Sequence, residues 1–176
     1  ILFKDTFIII GRIMNNYQLN TNWCLWYHSI NDTSWKNSSY KNLYTLKNLY
    51  DLKCINDSIE KIHLQNSMFF IMREDIFPTW EDPENREGCC ISYKIPSHDL
   101  LKQWNDLIIR VLTEDILNDK DKYNLINGIS ITPKKEFNIV KIWLRNHDEN
   151  YHEWIKSYEP YYVKEKALIK KHELSD

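Results

Sequence analysis

Apolar residues return every three or four positions between 97 and 112: Leu100, Leu101, Trp104, Leu107, Ile108, Val111 and Leu112. Only a helix gathers such a set onto one stripe, and that stripe must be buried against another layer. Ser97 is placed to cap this helix, and Asp99 suits the positive end of its dipole. The other apolar runs are short and rich in aromatic and β-branched residues, as in strands. Residues 22–28 (NWCLWYH), 68–73 (MFFIMR), 89–95 (CCISYKI), 125–132 and 137–144 read this way, with a turn at 133–136 joining the last two. A short strand is expected at 40–44. Thr45 then caps a second helix carrying Leu46, Leu49, Tyr50 and Lys53 at helical spacing. A third helix is expected over 148–158, ending before Pro160, and a last strand over 161–169. Hairpin-length connections between strands favour antiparallel pairing. The expected class is therefore α+β, an antiparallel sheet with about three helices.

The length of 176 residues suits one domain around one core. The first residue is Ile1 rather than Met, which reads as trimming or processing. Residues 1–16 are expected to be a leader or extension and 17–176 the domain. The apolar stretch at 7–14 is broken by Gly11 and Arg12, too short to span a membrane and without a signal-peptide layout. Cys24, Cys54, Cys89 and Cys90 show neither CxxC spacing nor a histidine at zinc-ligand distance. A reducing, cytoplasmic compartment with no structural metal or cofactor is the simplest reading. The net charge of −2 gives no global signal for bulk nucleic-acid binding, so any such contact must be local.

Seven tryptophans must be core or ligand platform, because Trp is costly to expose. Two of them stand in polar loops: Trp35 in DTSWKN and Trp80 in FPTWEDPEN. Singly, each would be a plug packed back onto the domain. As a pair, with Glu81 directly after Trp80, they suit a nucleobase. Stacking on an aromatic face is worth about 1–3 kcal/mol per base, and a cationic base adds roughly 0.5–2 kcal/mol of cation–π attraction. Methylation at the seventh position gives guanine that charge. A carboxylate then accepts hydrogen bonds from the donor edge of guanine, at about 1.5–3 kcal/mol. Taken alone, Glu81 is an ordinary solvated loop carboxylate.

From residue 17 to 169 the sequence resembles the translation initiation factor 4E family, the eukaryotic messenger-RNA cap-binding proteins. The resemblance rests on NWCLWYH followed by Trp35, on IFPTWEDPENREG from Ile76 to Gly88, on Trp104, and on Gly128 followed by a hairpin and Ile142-Trp143. It implies a curved antiparallel sheet with the cap on its concave side and three helices on its convex side. It implies that Trp35 and Trp80 sandwich the 7-methylguanine, that Glu81 and the Trp80 backbone N–H read its edge, and that Trp143 touches the methyl group. Lys134 falls at a position that binds the cap phosphates. The family's second basic position is Ile139 here, with Lys141 on the same strand face, and a third is Cys90. The C-terminal lysines Lys164, Lys166, Lys170 and Lys171 are further sources of charge.

The resemblance also implies that the convex face binds a helical motif of a scaffold initiation factor or of a repressor. Leu19, Leu46, Tyr50, Asp106 and Ile109 fall at those positions. Tyr50 stands where the family has tryptophan, and Tyr17-Gln18 where it has His-Pro. Recruiting a scaffold and sequestering capped RNA use the same cap residues, so both roles stand. A carbohydrate-binding module also stacks its ligand on tryptophan but needs no cation. Cys89 or Cys90 near His98 is the one arrangement with a nucleophile, and both cysteines lie in an apolar strand pattern where burial is expected. No catalysis is expected.

Overall fold

A computed structural model describes residues 16–173. The apolar stretch at 7–14, and the expected leader except its last residue, lie outside the described residues. Seven strands form one curved antiparallel sheet in the order β2-β1-β3-β5-β6-β4-β7. They are β1 (Gln18–Ser29), β2 (Tyr40–Asn48), β3 (Ser67–Arg73), β4 (Cys89–Pro96), β5 (Ile126–Pro133), β6 (Phe137–Leu144) and β7 (Leu168–Lys171). Among the described residues three α-helices accompany them: α1 (Leu49–Ser58), α2 (Lys61–Asn66) and α3 (Leu100–Leu112). Among the described residues no helix is long and apolar enough to cross a membrane.

Side chains alternate between the two faces of each strand, and both faces here are apolar. The helix-covered face holds Trp23 and Leu25 of β1, Phe69 and Ile71 of β3, Ile91 and Tyr93 of β4, Ile129 and Ile131 of β5, and Val140 and Ile142 of β6. The stripe of α3 closes over them with Trp104, Leu107, Ile108 and Val111, all fully buried. The opposite face carries a smaller aromatic core of Tyr40, Met68, Phe70, Met72, Ile76, Cys90 and Trp143, against which Trp26, Phe77 and Trp80 pack. This second core is why β3 reads as a continuous apolar run rather than an alternating one.

Several expected boundaries move. The strand expected at 40–44 continues to Asn48, so Thr45 is a ladder residue opposite Cys24, not a helix cap. Leu46 pairs with Trp23 and is fully buried in the sheet core, so it cannot belong to an exposed helical surface. The cap of α1 is Asn48, whose side chain accepts from the Asp51 N–H while the Asp51 carboxylate accepts from the Asn48 N–H, a reciprocal capping box. Helix α2 has no counterpart in the sequence reading. Asp99, not Ser97, stands at the start of α3, and its carboxylate accepts from the Tyr161 hydroxyl at 2.6 Å instead of capping. The helix expected over 148–158 is only a 3-10 turn, Tyr151–Glu153. Asp148 draws in the Asn150 N–H at 2.8 Å and the Trp154 indole N–H at 2.8 Å, local bonds that compete with a helix. The last strand begins at Leu168 rather than 161, after the 3-10 turn Lys164–Lys166.

The capping box separates the two candidate helix starts. Asn48→Ala should lower stability by about 0.5–2 kcal/mol in urea unfolding, and Thr45→Ala should cost clearly less. The reverse order would return the cap to Thr45.

Candidate functional site

The aromatic face of the sheet opens into a cleft of about 390 Å³. Its floor comes from the strands: Met68 and Phe70 of β3, Ser130 and Thr132 of β5, and Lys141 and Trp143 of β6. Its walls come from the two tryptophan loops, Trp35 on one side and Pro78, Thr79, Trp80 and Glu81 on the other. Trp35, Trp80, Glu81, Trp143 and Lys141 thus line one cavity, although they span more than a hundred positions. Lys134 does not line it; it stands on the exposed tip of the β5–β6 hairpin.

Each loop tryptophan is backed by a histidine. Trp35 lies on His28 of β1 with ring centroids 4.5 Å apart and planes 7° from parallel. His28 is fully buried, and neither of its ring nitrogens has a hydrogen-bond partner. Trp35 adopts φ 50°, a left-handed conformation rare for a bulky residue and costing of order 1–3 kcal/mol. Trp35 is 53% exposed and lines the cleft. An exposed, strained aromatic on a buried imidazole is a poor core plug and a good ligand platform.

Trp80 stacks on His172 with centroids 5.2 Å apart and planes 15° from parallel. The Nδ1 of His172 lies 2.6 Å from the Asn85 carbonyl, and its Nε2 lies 3.1 Å from the Cys90 sulfur. A carbonyl only accepts, so Nδ1 carries the proton and the Cys90 thiol donates to Nε2. Burial pushes His172 below the usual histidine range, and Lys141 acts in the same direction against the Asn85 carbonyl and Glu81. Burial likewise pushes the Cys90 thiol up to about 12, so it is no nucleophile. Tyr40 is raised to about 12, by burial first and then by the charge of Glu81.

The Trp80 loop is held from within. Buried Asn85 donates to the carbonyls of Phe77 at 3.0 Å and Thr79 at 2.8 Å. Its own amide oxygen accepts from Asn127 of β5 at 2.9 Å, and Asn127 also donates to the Glu84 carbonyl. Asp82 accepts from the N–H groups of Phe77 and Glu84, both at 2.9 Å. Gly88 ends the loop against β6, where an added Cβ would meet the Leu144 carbonyl at 1.9 Å. Trp143 is fixed on the floor by its indole N–H, which donates to Ser130 at 2.9 Å.

The sequence reading did not single out His28, His172 or Asn85. Lys170 it noted only as a C-terminal charge. The β4–β7 register pairs Lys170 with Cys90 on the cleft side, and its ammonium sits 5.1 Å from the Trp80 ring. On the helix side, Leu19 lies beside a hollow of about 220 Å³ with Leu49 and Leu112. Tyr50 on α1 and Ile109 on α3 are exposed. Asp106 pairs with Lys102 at 2.6 Å.

The eukaryotic initiation factor 4E family model matches residues 18–162. A eukaryotic translation initiation factor 4E homolog of Acanthamoeba polyphaga mimivirus is 28% identical over 153 residues, covering 74% of this chain and 56% of the relative. Eukaryotic translation initiation factor 4E of Saccharomyces cerevisiae is 24% identical over 139 residues, covering 76% of this chain and 64% of the relative. The chain therefore spans a little over half to just under two thirds of the length of these relatives. Among solved structures, Schistosome eIF4E complexed with m7GpppG and 4E-BP superimposes with a TM-score of 0.69 at 17% identity, covering 77% of this chain and 75% of that one. That likeness speaks for the fold.

His172 links the site to pH. Its folded value lies below the ordinary 6.5, so as pH falls the unfolded chain takes up the proton first. The native state should therefore lose stability from about pH 6.5 downward to the folded value. Melting temperatures between about pH 7.5 and 5 should show this loss, and His172→Gln should flatten it. An unchanged slope in the variant would remove His172 from the account.

Proposed function

The chain belongs to the eukaryotic initiation factor 4E family, and on that premise we propose that its cleft binds the 7-methylguanosine cap of messenger RNA. The observation that carries this reading is the convergence of Trp35, Trp80, Glu81 and Trp143 on one cavity. The two indoles take the cationic base between them, and their π faces favour the methylated form. Glu81, exposed at the rim beside Trp80, accepts from the guanine edge. Trp143 meets the methyl group from the floor. Lys141 lines the cleft and Lys170 stands beside Trp80, and Lys134 at the hairpin tip stands farther along for the phosphates. The protein acts as a binding factor rather than an enzyme, in the cytoplasm.

On the helix side, Leu19, Tyr50, Asp106 and Ile109 form the docking surface for a helical segment of a scaffold factor or repressor, through which the protein enters translation initiation. The Schistosome protein was solved in complex with m7GpppG and 4E-BP. An amphipathic helix laid against exposed Tyr50 and Ile109 would bury both.

Titration with 7-methyl-GTP should quench tryptophan fluorescence, and unmethylated GTP should bind far more weakly. Glu81→Ala should cost about 1.5–3 kcal/mol of that affinity. Equal affinity for the two nucleotides would sink cap recognition. Removing Lys141 and Lys170 together should flatten the gain in affinity from mono- to triphosphate; an undiminished gain would pass the role to Lys134. Tyr50→Ala should weaken a helical partner in a cap-resin pull-down while leaving 7-methyl-GTP affinity nearly unchanged. A parallel loss of both would mean that the helix side is not a separate surface.

A further inference from the structure

Past the cleft, the same sheet face leads to a second hollow. In the β4–β6 ladder, Cys90 pairs with Trp143, Ser92 with Lys141, Lys94 with Ile139 and Pro96 with Phe137. These positions alternate with core residues, so all of them share the cleft side of the sheet. Walking down β6 from Trp143 therefore passes Lys141 and ends at Phe137, roughly 20 Å away at about 3.3 Å per residue. There Lys94, Pro96, Glu136, Phe137, Tyr161 and Lys166 line a groove of about 410 Å³.

The groove pairs each of two aromatic rings with a lysine. The Lys94 ammonium lies 5.1 Å from the Phe137 ring centre, and the Lys166 ammonium lies 5.6 Å from that of Tyr161. Neither lysine is ion-paired with a carboxylate among the described residues; Lys166 donates to the Pro160 carbonyl. Tyr161 is anchored by its hydroxyl, which donates to Asp99 at 2.6 Å. Glu136 is the one carboxylate in the lining, so cations outnumber it. In a chain of net charge −2, two such lysines beside half-buried aromatic rings mark a local site for an anion that carries flat rings.

We propose that this groove holds the transcribed nucleotides that follow the cap, with a base stacked on Phe137 or Tyr161 and phosphates met by Lys94 and Lys166. The inference rests on the cap reading, which sets the start of the RNA at Trp143 and its direction along Lys141. Continuity with the cleft and the lysine–aromatic pairs select single-stranded RNA as the occupant. The 7-methylguanine base lies roughly 20 Å away along β6, so it does not itself fill the groove.

The test compares 7-methyl-GTP with 7-methylguanosine-capped RNA oligonucleotides of increasing length, on the wild-type chain and two variants. The wild type should bind the longer capped RNAs at least about fivefold more tightly than 7-methyl-GTP, the lower end for one stacked base. Phe137→Ala should abolish most of that gain. The double variant Lys94→Gln with Lys166→Gln should reduce the gain and weaken its dependence on salt. Both variants should keep wild-type affinity for 7-methyl-GTP, which also reports that they fold. No gain with length in the wild type, or a full gain retained in both variants, overturns the groove while leaving cap binding intact. Failure of the wild type to bind 7-methyl-GTP overturns the cap reading and the groove together.

Discussion

One buried amide shapes the most specific part of this molecule. Asn85 has no solvent exposure, and its side chain satisfies two carbonyls of the Trp80 loop while its oxygen is satisfied by Asn127. The loop joins β3 to β4, which β5 and β6 separate in the sheet, so it must run across the end of the sheet rather than close a hairpin. Its backbone carbonyls therefore turn inward, where an unpaired polar group costs about 1–3 kcal/mol. Asn85 and Asn127 remove that cost, and the Asn85 carbonyl then fixes the tautomer of His172 on which Trp80 rests. Indole, imidazole, amide and strand form one connected network, and disturbing any member is felt at the platform.

The second platform is held by a different device. The Trp35 loop is held locally, with Asp32 accepting from the N–H and hydroxyl of Ser34 at 2.8 and 2.6 Å, while Trp35 itself keeps a strained backbone conformation and an almost parallel stack on His28. Locally stored strain of this kind persists only when surrounding structure supports it. The second aromatic core, with Tyr40 tilted against His28, supplies that support. Both walls of the cleft thus rest on an imidazole stack, one tied through Asn85 to β5 and the other held within its own loop. A pocket built this way presents indole faces before any ligand arrives, which reduces the ordering cost of binding.

Much of this was legible in the residues. The stripe of α3, the aromatic strands and the two loop tryptophans carry local signals, and those elements fall where expected. The misses share a physical cause: local patterns satisfied by two structures, decided by tertiary contacts. Leu46, Leu49 and Tyr50 fit a helix beginning at Thr45, but pairing of Leu46 with Trp23 extends the strand and delays the helix to Asn48. Residues 148–158 have helical spacing, but Asp148 captures local donors and breaks it. The partners of the platforms were illegible: His28 and Asn85 lie within the quoted motifs but nothing in the spacing shows that they turn inward under the indoles, and His172 lies far from Trp80 in sequence. Where the family position for an arginine is Cys90, the chain has a thiol bonded to His172, with Lys170 on the neighbouring strand bringing charge to the same face. Such an exchange across strands leaves no trace along one.

Cap binding as proposed places a methylated base between Trp35 and Trp80, above Trp143. Nuclear Overhauser contacts from the 7-methyl group of bound 7-methyl-GTP test it directly. Contacts are expected from the methyl protons to the indoles of Trp35, Trp80 and Trp143, with both histidine stacks preserved. Contacts confined to one indole, or to residues outside the cleft, would contradict it.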